Sequence, residues 1–295
     1  MSDQATALRG LMERRLTPVD VRLESTAGRR AFALAVTSGK GGVGKSNIAL
    51  NVAIELARLD AAVCLFDANP GLGNIELLCG LNGYWNLSHV VTGARTLREI
   101  TLAGPAGVHV VPGGGLGELA DGPPAVRREV LHQLEELERE HDFLVIDAGT
   151  GMQRAVRRLL AAADVVLVVT TPEPTAIADA YATIKALSPA ASGRMEAVVN
   201  QCDSARLAEA IVDRLAQTAR LFVRVEVHSA GWIPRDADVP QAVARRTPLA
   251  LAAPHSRAAQ AVRQLARRVK TLAAARPASE PFFEQLTSHP LCRAA

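Results

Sequence analysis

The residues with the densest chemistry run Gly39-Lys40-Gly41-Gly42-Val43-Gly44-Lys45-Ser46. They fit G-x-x-x-x-G-K-[ST] in the context that the pattern requires: an apolar run ends at Val36, and a helical pattern continues from the loop to Arg58. Glycines let main-chain N–H groups close around phosphate oxygens without Cβ clashes, and the helix N-terminus behind them adds positive potential. Lys45 is placed to reach β- and γ-phosphates and the Ser46 hydroxyl to bind Mg2+, with Asn47 next along the helix. Such a loop also needs a carboxylate at the end of a neighbouring strand. Phe143-Leu144-Val145-Ile146-Asp147 supplies it, with Asp147 on the metal side. The chemistry expected is capture of a nucleoside triphosphate and phosphoryl transfer.

Positioning these groups takes a sheet. From Ala31 onward, short β-rich apolar runs alternate with helical stretches, at 31–37, 61–66, 107–111, 143–146, 164–170, 195–200 and 221–227. Alternation of this kind predicts an α/β fold, a doubly wound, mostly parallel sheet buried on both faces by crossover helices. The sequence divides into an N-terminal arm and linker over 1–30, a nucleotide-binding domain over 31–275, and a tail over 276–295 rich in proline.

Composition narrows the alternatives. The chain has 295 residues, a net charge of +3 and 48% hydrophobic residues, an ordinary globular balance. Aromatic residues make up only 3%, too few for stacking single-stranded nucleic acid or gripping carbohydrate. The four cysteines lie far apart with no C-x-x-C pair, which argues against zinc, iron–sulfur and disulfide frameworks. The seven histidines show no helix-face metal spacing. No apolar run is long enough to cross a bilayer, and the first residues lack the charged-then-apolar pattern of a secretory signal, so a cytoplasmic location is expected.

The second lysine of the loop, Lys40, makes the pattern more specific. Lys40-Gly41-Gly42-Val43-Gly44-Lys45 resembles the deviant phosphate loop of the MinD/ParA ATPases, in which this extra lysine reaches the partner's phosphates in a dimer that sandwiches ATP. That resemblance implies ATP and Mg2+ as cofactors and an ATP-dependent homodimer. It covers nearly the whole chain: Leu65 to Glu76 is similar to the family's second-strand motif, so that Asp67 would serve the metal and catalysis. Asn200 falls where the family reads the adenine edge, and Pro234 lies in the base-flanking loop. Thr171-Pro172-Glu173-Pro174-Thr175-Ala176-Ile177-Ala178-Asp179-Ala180-Tyr181 resembles one branch, the flagellar-number regulators FlhG and FleN. In the arm, Asp3, Gln4, Ala5, Leu8 and Arg9 match that branch's short helix, which docks on the signal-recognition-type GTPase FlhF and stimulates it. Gln4 would enter the partner's site, where a carboxamide can orient water while staying uncharged. The branch also implies flagellar switch-complex proteins and a FleQ-type transcription activator as partners, and peripheral contact with the inner membrane face or cell pole.

The sequence departs from the family at Asn69, where D-x-D usually has its second aspartate. An amide can hold a water but cannot take its proton, and losing general-base help removes about two to four orders of magnitude in rate. Slow hydrolysis is therefore expected, with Lys40, Lys45, Asp67 and Asn69 as the catalytic set. A scaffold that binds nucleotide without hydrolysing it is the extreme form of that reading. No acidic residue lies between Asp238 and Glu280, whereas Arg245, Arg246, Arg257, Arg263, Arg267, Arg268, Lys270 and Arg276 do. A basic surface is expected there, and from Ser256 the pattern reads as a basic amphipathic helix packed on the sheet, with membrane-surface attachment, an acidic partner, or a ParA-type ATP dimer that binds DNA non-specifically as the alternatives. The arm and the Pro172 to Tyr181 run favour the flagellar reading over DNA, because binding to DNA phosphates needs neither.

Overall fold

The computed structural model describes residues 30–69, 73, 75–150, 153–188, 193–276 and 281–284. Its strands are β1 (Phe32–Ser38), β2 (Val63–Asp67), β3 (Leu102–Ala103), β4 (His109–Val111), β5 (Phe143–Thr150), β6 (Val165–Thr170), β7 (Arg194–Cys202) and β8 (Val227–Pro234). They form one sheet in the order β3-β4-β2-β5-β1-β6-β7-β8, parallel except for the β3–β4 pair. The longer helices are labelled α1 (Lys45–Ala57), α2 (Pro124–Arg139), α3 (Arg154–Ala162), α4 (Pro174–Leu187), α5 (Ala205–Val223) and α6 (Arg257–Ala274). The doubly wound expectation holds.

Every residue of β1 is buried, and its alternate side chains enter separate cores. Leu34 and Val36 face α1 and α6, where they meet Leu50, Val262 and Leu265; Ala33 and Ala35 face the layer built by α2 to α5. Period-two alternation in an entirely apolar run is what lets one strand serve both layers. Since β5 lies between β1 and β2, the C-terminal ends of these three strands carry the phosphate loop, Asp147 and Asp67 side by side.

Two expectations need correction. The apolar run 221–227 is not a strand: Leu221 to Val223 finish α5, and β8 begins only at Val227. The helical seam Ala208, Ile211, Val212, Leu215 and Ala219 carries the helix through this run, leaving Leu221 and Phe222 exposed at 66% and 75%, until Arg224 leaves the helical conformation at φ 56°. Period outranks a short β-rich window. The second correction concerns the tail. Phe282 and Phe283 are buried, Phe283 meets Phe66 edge-on, and their N–H groups donate to the buried Glu138 carboxylate at 2.9 and 3.2 Å. Prolines made the stretch read as a tail, but two adjacent aromatic rings hide too much apolar surface to be left in water.

The basic helix is α6, and it is largely a packed element. Arg263 pairs with buried Glu55 of α1, Arg268 with buried Glu196 of β7, and Arg276 just beyond the helix with Asp164 before β6, at 2.9, 2.8 and 2.7 Å. Two cations of the helix and one just beyond it are thus paired with acidic groups of the fold.

Candidate nucleotide site

The phosphate loop turns from β1 into α1 through Gly44, which sits in the left-handed region at φ 91°. A methyl group there would be strained and would run into the Asn200 carboxamide, so two independent requirements select glycine. Gly39 lies so close to the main chain of Asp179 on α4 that a Cβ would not fit. The loop is therefore clamped between α4 and the end of β7.

Lys45 is buried, and its Nζ donates to Asp147 Oδ1 at 2.8 Å and to Ser46 Oγ at 3.2 Å. Asp147 and Asp67 are register partners on β5 and β2. Asp67 accepts main-chain N–H bonds from Asn69 at 3.1 Å and Ile75 at 3.4 Å. Burial, and then the neighbouring charge of Asp147, push the Asp67 carboxyl up to about 7 against the opposing effect of those N–H groups. Two carboxylates buried side by side form a donor set that fits a divalent cation. Ser46 stands beside them with a hard oxygen. Among the described residues no three His, Cys, Asp or Glu side chains converge on a metal position.

Lys40 stands apart from this cluster. Its Nζ donates to Glu173 Oε2 at 2.5 Å and to Thr175 Oγ1 at 3.1 Å, on the exposed rim where α4 begins. The Lys40 ammonium holds the Glu173 carboxyl below the usual carboxylate range. Glu173 and Thr175 were not singled out from the sequence as site residues. They lie in the string that marks the flagellar branch, but a counter-ion 133 positions away leaves no local signal.

The other expected residues fall as follows. Asn47 turns its side chain along α1, where its carboxamide and carbonyl oxygens accept from Asn51 at 3.0 and 2.8 Å. Asn200 donates to the Val43 carbonyl at 2.7 Å and accepts from the Gln201 N–H at 2.9 Å. Pro234 ends β8 opposite Cys202. Asp3, Gln4, Ala5, Leu8 and Arg9 lie outside the described residues. The structure thus brings together Gly39 to Ser46, Asp67, Asn69, Asp147 and Asn200 at one end of the sheet, with Lys40 turned to the rim.

The comparisons with known proteins bear on the same residues. A ParA family model, described as an NUBPL iron-transfer P-loop NTPase, matches residues 30–270. The antiactivator FleN of Pseudomonas aeruginosa is 34% identical over 87% of this chain and 94% of its own length. The flagellum site-determining protein YlxH of Helicobacter pylori is 32% identical over 79% of this chain and 80% of its own. Among solved structures, the septum site-determining protein MinD of Pyrococcus horikoshii, complexed with Mg-ADP, superposes with a TM-score of 0.67 at 21% identity, covering 83% of this chain and 98% of that one. MinD in the MinC:MinD cell division complex of Aquifex aeolicus gives 0.63 at 24% identity, covering 85% and 99%. At these identities the two structures speak for the fold.

Proposed function

Since the chain belongs to the ParA/MinD family of P-loop NTPases, we propose that it is an ATP-dependent regulatory ATPase that controls flagellum number and placement. The observation that carries the reading is the Lys45–Asp147 pair at 2.8 Å inside a glycine loop. It is an ammonium stored against a buried carboxylate at the place where phosphate oxygens would take it over. Gly39 to Ser46 would cradle the phosphates through main-chain N–H groups, and Ser46, Asp67 and Asp147 would hold Mg2+. The ion, when bound, supplies charge neutralisation for the phosphates. FleN and YlxH, the similar proteins whose names concern flagella, support the biological setting. The iron transfer in the family description is not carried over to this chain, whose four cysteines form no C-x-x-C pair.

Turnover would be slow. Asn69 can fix a water by hydrogen bonding but cannot accept its proton, so binding outlasts hydrolysis and nucleotide occupancy acts as the switch. Lys40 would leave Glu173 and Thr175 when a second copy brings a triphosphate within reach, closing the ATP homodimer. The arm helix would stimulate an FlhF-type GTPase through Gln4, and the two nucleotide states would present different surfaces to switch-complex proteins and a FleQ-type activator. A peripheral membrane contact would have to come from residues other than Phe282 and Phe283, which are packed in the core. Non-specific DNA binding is disfavoured as the main activity, because Arg263, Arg268 and Arg276 are engaged with Glu55, Glu196 and Asp164.

Calorimetry with Mg2+ and ATP tests the binding. Micromolar uptake of one nucleotide per chain is expected, and no uptake at millimolar ATP would refute the reading. Single-turnover hydrolysis with Asn69→Asp then tests the rate. An increase of at least about tenfold is expected if the missing base is limiting, and an unchanged rate in a dimerised sample would count against that assignment.

A further inference from the structure

Asn200 sits at a break in its strand. The register of β7 against β8 shifts between Val199 and Cys202, and Gln201 lies in the left-handed region at φ 54° without being glycine. That break turns the Asn200 side chain out of the sheet toward the phosphate loop. The Gln201 N–H donates to Asn200 Oδ1 at 2.9 Å, which fixes the oxygen end of the amide and aims its NH2 at the Val43 carbonyl, 2.7 Å away.

Val43 stands between Gly42 and Gly44, both at positive φ, the most deformable stretch of the loop. A trans peptide is planar, with its C=O and N–H pointing in opposite directions. Holding the Val43 oxygen toward Asn200 therefore turns the Gly44 N–H the other way, into the concavity where phosphate oxygens would lie. The missing side chain at Gly44 is what lets Asn200 approach. The end of β7 is tied in turn to the loop after Pro234, since the Arg235 N–H donates to the Cys202 carbonyl at 3.3 Å.

We infer that Asn200 is a positioning residue for phosphate: it sets the orientation of the Val43–Gly44 peptide, and hence the anion affinity of the loop, before and independently of any contact with a base. The inference rests on the nucleotide reading of this site and extends it, because a residue that only read adenine would leave the empty loop and its affinity for bare phosphates unchanged.

The test compares wild type with Asn200→Ala, which removes the donor without adding charge. Calorimetry would be run with Mg2+–ATP and with magnesium tripolyphosphate, which has neither base nor sugar. Amide hydrogen exchange would be followed over 40–46 in the nucleotide-free protein, with the rest of the chain as control. The expected result is a loss of about tenfold for both ligands, the size of one hydrogen bond, and faster exchange at Gly44 and Lys45 with the control amides unchanged. Loss of ATP affinity alone, with unchanged loop exchange, would overturn the inference, as would no change at all. Should tripolyphosphate bind wild type too weakly to measure, loop exchange decides on its own. Failure of wild type to bind ATP would instead sink the nucleotide reading, which keeps the two outcomes distinct.

Discussion

The two edges of the sheet treat charge in opposite ways. At the edge where the strands begin, Asp164 receives Arg276 and the Ala33 N–H, Arg30 lies between Asp164 and Glu138, and Glu138 receives the N–H groups of Phe282 and Phe283. Each charge is locked to backbone or to a cation from a different part of the chain. At the edge where the strands end, Asp67 and Asp147 are buried together, Lys45 lies on only one of them, and Lys40 rests on an exposed glutamate. The first arrangement fixes Arg30, Arg276 and the Phe282–Phe283 pair to the core. In the second, both ammonium groups rest on side-chain carboxylates beside the glycine loop, partners that a bound triphosphate would have to replace in the proposed switch.

Breaking the fixed edge should cost the most stability. Phe282→Ala empties a fully buried aromatic position and is expected to lower the unfolding free energy by about 3–5 kcal/mol, measured by urea denaturation; a loss below about 1 kcal/mol would show that this segment merely rests on the core. Breaking the exchangeable edge should instead cost function. Lys45→Ala is expected to weaken ATP binding by about 100-fold or more through loss of a charge-assisted phosphate contact, as read by calorimetry, and retained affinity would place the phosphates elsewhere.

Glu173→Gln sharpens the comparison by keeping the shape of the rim and removing its charge. With Lys40 no longer held, the ATP analogue concentration needed for half-dimerisation should fall several-fold, because a solvent-exposed ion pair competes only weakly for the lysine. A higher requirement would assign Glu173 to the dimer rather than to the resting state.

The smallest expected effect is at the fixed edge. His109 Nδ1 and His141 Nε2 lie 2.8 Å apart, and His141 also contacts the Leu137 carbonyl. Burial depresses both rings below the ordinary value of 6.5; Glu140 opposes this at both and Asp142 at His141, while Arg98 adds to it at His109. As pH falls below 6.5 the unfolded chain therefore takes up protons that the folded one refuses, and stability is lost until the lowered folded values are reached. Urea midpoints at about pH 7.5 and 5.5 should diverge less in His109→Gln than in wild type if the pair is the cause.

The grouping of the glycine loop with Asp147 was legible in the sequence, because a G-x-x-x-x-G-K-[ST] pattern between strand and helix, and an apolar strand ending in aspartate, place these residues at the same end of a parallel sheet. Gly39 to Ser46 and Asp147 could be read from spacing, and Asp67 from family resemblance. The contacts of the loop could not: Glu173 was not singled out, and Asn200, expected at the adenine edge, meets the Val43 carbonyl through strand order, which no local pattern encodes. The fixed edge was mostly invisible, since Glu138 looks like any helix glutamate until Phe282 and Phe283 are seen to dock on it. The strand β3 has two residues and no periodicity to detect. The run at 221–227 failed because three apolar residues at the end of a helix have the composition of a strand.

In the proposed switch, ATP draws Lys40 away from Glu173 and joins two copies of the chain. Sedimentation velocity with Mg2+ and either ADP or a non-hydrolysable ATP analogue, on wild type and Lys40→Ala, tests it most directly. The expected result is monomer with ADP, dimer with the analogue, and monomer throughout for Lys40→Ala. A wild type that stays monomeric with the analogue bound, or a Lys40→Ala protein that dimerises as well as wild type, would contradict it.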